Sequence, residues 1–366
     1  MVNDCHDVTF QLLKTALGNI DNVDYTSDQV DWRKVMSLTF RQGIAAVCFD
    51  AFCHLPKSVR PDDSLFLKWL GHTLLMEERY RQYEEAIITL SDMAHNLGLR
   101  MLVLKGYGCS LNYPQPKHRP CGDIDIFLMD ENGNHSNDQQ QHFEAYLEKS
   151  QGVMVNTLNT HHSQFRFGKF LVENHSTILD VDAHKSSLYL NDLLKGLAAS
   201  AEPMIVGNAE VWLPSVKFNS IHLLRHMASD FASVRTSLRN VLDWSTFVET
   251  HEVDWSFVHD VASKANMYRF LDAINGICVH YLGYAADKFP IESQDDKLEH
   301  KVLNEILTCT DNPDHPQPEC SFMEKVSYDF HKTRRMWKNR WKYKIVYDES
   351  ILESFLWKAM IRLRMK

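Results

Sequence analysis

The sequence predicts an α+β fold: a small mixed β-sheet with helical segments before and after it. Three observations carry that reading. Apolar residues recur at helical spacing up to about residue 97, and the spacing returns after residue 213. Between these stretches lie short apolar runs separated by Gly, Pro and Asn, the texture of strands and turns. One of those runs, 123–128, carries two carboxylates two residues apart.

The elements follow in order. Residues 1–97 form an N-terminal helical region. Phe10, Leu12, Leu13 and Leu17 outline a first helix, a second is expected over 31–52, and a long third over 64–97. Asp62, Asp63 or Ser64 would cap the third helix and Gly98 would end it. Residues 98–213 form the α/β core. Here 100–104 reads as a buried strand, and Gly106, Gly108, Pro114 and Pro116 as a loop or short helix. The acidic strand 123–128, a polar loop, a helix at 139–150, a hairpin around Gly168-Lys169 and a last strand at 210–213 complete it. Residues 214–310 form a C-terminal helical domain, and 311–366 a Pro-rich linker and a basic tail.

At 366 residues the chain is long enough for two or three domains with a sizeable core. It has no apolar stretch long enough to predict a spanning helix, and its N-terminus lacks the pattern of a signal peptide. Eight Cys without a Cys-x-x-Cys pair predict free thiols and a cytoplasmic location. The net charge of −9 is unevenly spread: from Lys332 onward eleven Lys/Arg meet three acids, a local +8 against −17 elsewhere. That tail could pack on the acidic body, track RNA phosphates with Trp337 and Trp341 as stacking surfaces, or lie on an anionic membrane.

Residues i and i+2 of a strand point to one face, so Asp123 and Asp125 are expected side by side. Two like charges so close repel unless a cation lies between them, and carboxylate oxygens suit Mg²⁺ or Mn²⁺. Such a pair points to metal-assisted phosphoryl or nucleotidyl chemistry. A third carboxylate is expected, from Glu173 on the hairpin or from its rival Asp182, which has Asp180 two residues before it. Lys105 and Arg119 flank the acidic strand as candidate phosphate contacts, and Gly106 would let backbone approach a phosphate. His175 and His184 each follow an acid by two residues; orienting carboxylates or binding substrate suits them, with a structural role favoured for His184. His222 and His226 share a helix face without the Glu of a zinc-protease motif, so a core or surface pair is expected. Arg239 and Asp243 have the spacing of a helical ion pair.

Taken together, several motifs carry a family likeness. They are Leu104-Lys105-Gly106, Tyr113-Pro114, Arg119-Pro120-x-Gly122-Asp123-Ile124-Asp125, His161-His162, Val172-Glu173-x-His175, the helix with His222 and His226, and Leu238-Arg239-x-x-Leu242-Asp243-Trp244. On these the chain resembles the bacterial uncharacterised nucleotidyltransferase group of the polymerase-β-like superfamily, over roughly residues 30–290. The resemblance implies a nucleotidyltransferase core with Asp123, Asp125 and Glu173 as metal-binding catalytic residues. It implies nucleotide binding by Lys105, Gly106, Arg119 and Gly122. The reaction would be Mg²⁺-dependent transfer of a nucleoside monophosphate from a nucleoside triphosphate to a hydroxyl of a small molecule, sugar, protein or RNA. In place of the superfamily's Gly-Gly or Gly-Ser turn the chain has Gly106-Tyr107-Gly108, which makes triphosphate binding by backbone amides less expected. The alternatives are a non-catalytic nucleotide-binding member and a toxin–antitoxin-type partner.

Overall fold

The computed structural model describes residues 4–157, 161–182, 184–233, 236–308, 334 and 337–364. The Pro-rich linker and the start of the basic tail lie outside the described residues.

Four helices precede the sheet: α1 (Cys5–Ala16), α2 (Trp32–Arg41), α3 (Ala45–His54) and α4 (Asp63–His95). The single helix expected over 31–52 is therefore two. Gly43 takes a positive φ of 66°, which ends α2. The break frees Gln42 to bridge distant parts of the chain. Its side chain accepts from Leu238 N at 2.8 Å and donates to Ile306 O at 3.1 Å. The long helix α4 starts where Asp62 accepts a hydrogen bond from Leu65 N, and Gly98 follows it at φ 70°.

The sheet has six strands in the order β3-β4-β2-β1-β6-β5. They are β1 (Arg100–Val103), β2 (Ile124–Met129), β3 (His162–Phe167), β4 (Phe170–His175), β5 (Glu202–Val206) and β6 (Ala209–Leu213). The pairs β1–β2, β3–β4 and β5–β6 are antiparallel, whereas β2–β4 and β1–β6 are parallel. Short helices and connections carry the chain between them: α5 (Tyr107–Ser110), α6 (Asn137–Gln151) and α7 (Lys185–Ala198). Beyond the sheet lie α8 (Val216–Ala232), α9 (Leu238–Thr250), α10 (Trp255–Lys264), α11 (Tyr268–His280), α12 (Asp296–Leu307), α13 (Arg340–Val346) and α14 (Ile351–Arg364). The expected α+β class is thus the observed one.

Two cores sandwich the sheet. Ile124, Ile126 and Leu128 join Tyr83, Ile87 and Leu90 of α4 and Phe143 and Leu147 of α6. Phe127 and Met129, on the opposite face of the same strand, join a second core with α1–α3 and α7–α12. The first three helices therefore pack with the last ones, far away in sequence. Asn19 fixes this closure by donating to Leu282 O at 2.7 Å.

The described part of the tail docks on the body through specific contacts. Lys342 is almost fully buried, pairs with Glu305 at 2.8 Å and lies over the Phe231 ring. Tyr347 stacks on His184 with ring centroids 3.5 Å apart, and Glu349 accepts from His184 at 2.9 Å. His184 is thereby a structural residue, as expected, with its partners supplied by the tail.

Candidate active site

Local geometry first sets the loop that leads into β2. The Gly106 backbone has φ 63° and ψ −94°, a conformation that disfavours side chains. A Cβ there would also collide with the Tyr83 hydroxyl. That hydroxyl donates to the carbonyl of Asp123 at 2.8 Å. Nearby, Arg79 donates to Cys121 O at 3.2 Å, so α4 holds the loop at two points. Gly106 is thus required for close packing of the turn against α4. At Gly122 a Cβ would meet open space.

Asp123 and Asp125 sit in different environments. The strand begins at Ile124 instead of Asp123, leaving Asp123 exposed in the loop while Asp125 is 3% exposed within β2. Parallel pairing places Glu173 opposite Asp125, as Val172 is placed opposite Ile124. In the β3–β4 hairpin Gln164 is opposite Glu173 and His162 opposite His175. Alternation along each strand then gathers Asp125, Glu173, His175, His162 and Gln164 on one face. Their side chains meet there. His175 Nε2 lies 3.1 Å from Asp125 Oδ1 and 3.9 Å from Glu173 Oε2, and Gln164 donates to Glu173 Oε1 at 2.8 Å. Ligand atoms of His162, Glu173 and His175 lie within 4.8 Å of one another.

Lys105, just beyond β1, places its Nζ 3.2 Å from Asp125 Oδ1. Burial alone would push the Asp125 carboxyl up, but Lys105 and His175 hold it well below the usual carboxylate range. Burial would likewise lower Lys105; Asp125 and Asp230 outweigh it and raise the ammonium above its ordinary value. Helix α8 brings a second layer of charge to this spot. Lys105 and then burial push His226 down, and burial pushes the fully enclosed His222 well down. Asp230 lies 3.4 Å from His226, so His222, His226 and Asp230 form one stripe of α8 near Lys105. The spacing of the two histidines marked a shared helix face; nothing local in sequence said that this face meets the acidic strand.

Other expected residues are placed elsewhere. Asp182 groups with His161 and Asp180, with ligand atoms within 4.8 Å of one another, and not with Asp125. Arg119 is 7% exposed and grips Asp243 with two hydrogen bonds of 2.8 Å. Burial would lower its pKa, but Asp243 raises it well above the usual value. A phosphate contact from Arg119 would require this buried pair to open. Asp243 also accepts from the Tyr113 hydroxyl at 2.7 Å. The helical pair expected between Arg239 and Asp243 is therefore replaced by one between Arg119 and Asp243, because the short loop before β2 packs directly on α9.

Residues 28–283 match a family described as "Uncharacterised nucleotidyltransferase". The chain belongs to that family. The match includes β1, β2 and β4 with their acidic and histidine residues, and α8 and α9 behind them. No curated protein matches the chain. Among solved structures it is similar to an antigenic nucleotidyltransferase-like protein from Paracoccidioides brasiliensis. That likeness covers 57% of this chain and 94% of the other, at 13% identity and a TM-score of 0.36, and is too loose to carry an argument. Among the described residues no helix is long and apolar enough to cross a membrane.

Proposed function

We propose that this nucleotidyltransferase family member transfers a nucleoside monophosphate from a nucleoside triphosphate to a hydroxyl, with a divalent cation held by Asp123, Asp125 and Glu173. The observation that carries the reading is the pairing of Asp125 with Glu173 across β2 and β4, with Asp125 buried and held ionised. Carboxylates converging from neighbouring strands fit a hard cation such as Mg²⁺. Mn²⁺ takes the same carboxylate oxygens, whereas imidazole is a better donor for Zn²⁺. Such a cation, when bound, supplies positive charge to the attacking and leaving oxygens.

The chain's own residues have separate tasks. Asp125 is the anchor, because its charge is already stabilised in the protein. His175 orients that carboxylate through its 3.1 Å contact, and Gln164 orients Glu173. Lys105 neutralises Asp125 before nucleotide arrives and is placed to turn its ammonium toward phosphate oxygens. Its side chain keeps 25% exposure, which leaves it accessible. The Tyr83 hydroxyl fixes the Asp123 backbone and so the height of the loop over the strand.

The Lys105–Asp125 ion pair is also the observation that favours a non-catalytic, nucleotide-binding member, since a lysine balances the carboxylate without a metal. One experiment separates the readings. The protein is incubated with each α-phosphate-labelled nucleoside triphosphate, Mg²⁺ or Mn²⁺, and a cell extract. Transfer predicts a labelled acceptor that requires the cation; nucleotide binding without any labelled product would leave the non-catalytic reading.

A further inference from the structure

Helices α11, α12 and α13, with the residues just before α13, border an open cleft of about 570 Å³. Arg269, Lys301, Lys338, Arg340 and Lys344 line it, with Trp341 between them. Arg269 pairs with Asp295 and Lys344 with Asp348. Among the described residues, Lys301, Lys338 and Arg340 have no carboxylate within the 4.0 Å of an ion pair. Lys301 Nζ lies 3.7 Å from the centroid of the Trp341 ring, so an indole face and not an acid is its neighbour there. At the rim, Trp337 is 65% exposed, with the Arg340 guanidinium 5.4 Å from its ring centroid. An exposed indole offers a face on which a flat ring can stack.

Five cations line one concavity on a chain of net charge −9, and the three without an acidic partner among the described residues suit an anionic ligand. A single small anion would use one or two of them and would leave Trp337 uncovered. A strand of nucleotides uses both features, since its phosphates repeat along a chain and each base offers a face for stacking. We propose that this cleft binds single-stranded nucleic acid, with phosphates on Lys301, Lys338 and Arg340 and a base on Trp337. Helix α8 lies between the cleft and the acidic site. Asp230 of that helix faces the Lys105 side, and the next residue, Phe231, packs on Trp341 with centroids 5.7 Å apart. On the transfer reading above, which this extension rests on only for its catalytic part, the bound strand would be the acceptor.

The test is fluorescence anisotropy of the full chain with a labelled 20-nucleotide oligouridylate, without nucleoside triphosphate or divalent cation. Saturable binding is expected, weakening as salt rises. The triple variant Lys301→Glu, Lys338→Glu, Arg340→Glu should bind at least tenfold more weakly. Its log–log salt slope should fall by about 2, at about 0.7 per lost phosphate contact. Trp337→Ala should weaken binding by about fivefold or more, the low end for loss of one stacked base. All these side chains are at the surface, and circular dichroism would verify that each variant keeps its fold. Three results would each overturn the proposal: no binding by the wild type at 50 mM salt, unaltered affinity in the triple variant, or co-sedimentation with phosphatidylserine vesicles but no oligonucleotide binding. Because the assay contains no donor nucleotide, its failure would leave the transfer reading intact, and failure of transfer would leave the binding result intact.

Discussion

Glu173 stands opposite Asp125 in the parallel pairing of β2 and β4, and a single imidazole nitrogen of His175 lies close to both carboxylates. Asp182, the other candidate for the third position, groups instead with His161 and Asp180. Glu173→Gln is therefore expected to reduce transfer by about a hundredfold or more, the scale on which loss of one group stabilising transition-state charge is felt. Asp182→Asn should stay within about threefold of the wild type. Steady-state transfer rates of the two variants check this, and the reverse order would move the third ligand to Asp182.

Gly106 and Tyr83 are coupled through one hydroxyl. Gly106→Ala adds a Cβ at positive φ and drives it into that hydroxyl, for a combined cost of about 1–3 kcal/mol. Tyr83→Phe loses the bond to Asp123 O, about 1 kcal/mol, but also removes the obstacle. The double variant should then be more stable than the sum of the single losses implies. Urea denaturation of the four proteins measures the coupling, and strictly additive losses would separate the two residues.

The Arg119–Asp243 pair is buried on both sides, so Arg119→Ala leaves a carboxylate enclosed without its partner. A loss of about 3–5 kcal/mol in stability is expected. The pair also sets a pH dependence. Burial pushes Asp243 up, but Arg119 holds it below its ordinary value, so its contribution is full above the unfolded pKa of about 3.9. It is lost as pH falls below that value toward the folded one. Denaturation midpoints between pH 2 and pH 6 would show this acid limb, and Arg119→Ala, which leaves burial without its counter-charge, should remove it.

Lys105 acts on His226 mainly through its charge. Lys105→Met should therefore raise the His226 pKa, which imidazole resonances in an NMR titration would report. The sign for stability follows. With His226 depressed in the folded protein, the unfolded chain takes up its proton first as pH falls through about 6.5, and stability declines there. In Lys105→Met that decline should be smaller. An unmoved His226 titration would mean that the two groups are insulated from each other.

Much of this site was legible because its parts obey local rules. The alternation of Asp123-Ile124-Asp125-Ile126 marked a strand, and the Gly168-Lys169 turn fixed the hairpin that carries Glu173. In sequence α2 and α3 read as one helix because the break needs only Gly43, whose positive φ frees Gln42 to reach Leu238 and Ile306. Strand β5 is not legible in the sequence, since it is an edge strand, mostly exposed and carrying Pro203, with no apolar alternation. Helix α7 is equally hidden; His184 at its start makes no side-chain cap, and Gly196 lies inside it. Arg119 could not be assigned from sequence because its partner lies 124 residues away. The same holds for the His222–His226 stripe, whose meaning depends on α8 crossing the acidic face.

The most direct measurement of the central claim is transfer of label from an α-phosphate-labelled nucleoside triphosphate by the wild type and by Asp125→Asn, with and without Mg²⁺ or Mn²⁺. The substitution keeps the size of the side chain and removes the charge that Lys105 and His175 stabilise. The account predicts a cation-dependent labelled product from the wild type and none above background from a folded Asp125→Asn. Equal product from the two proteins, or product from the wild type that is indifferent to the cation, would contradict it.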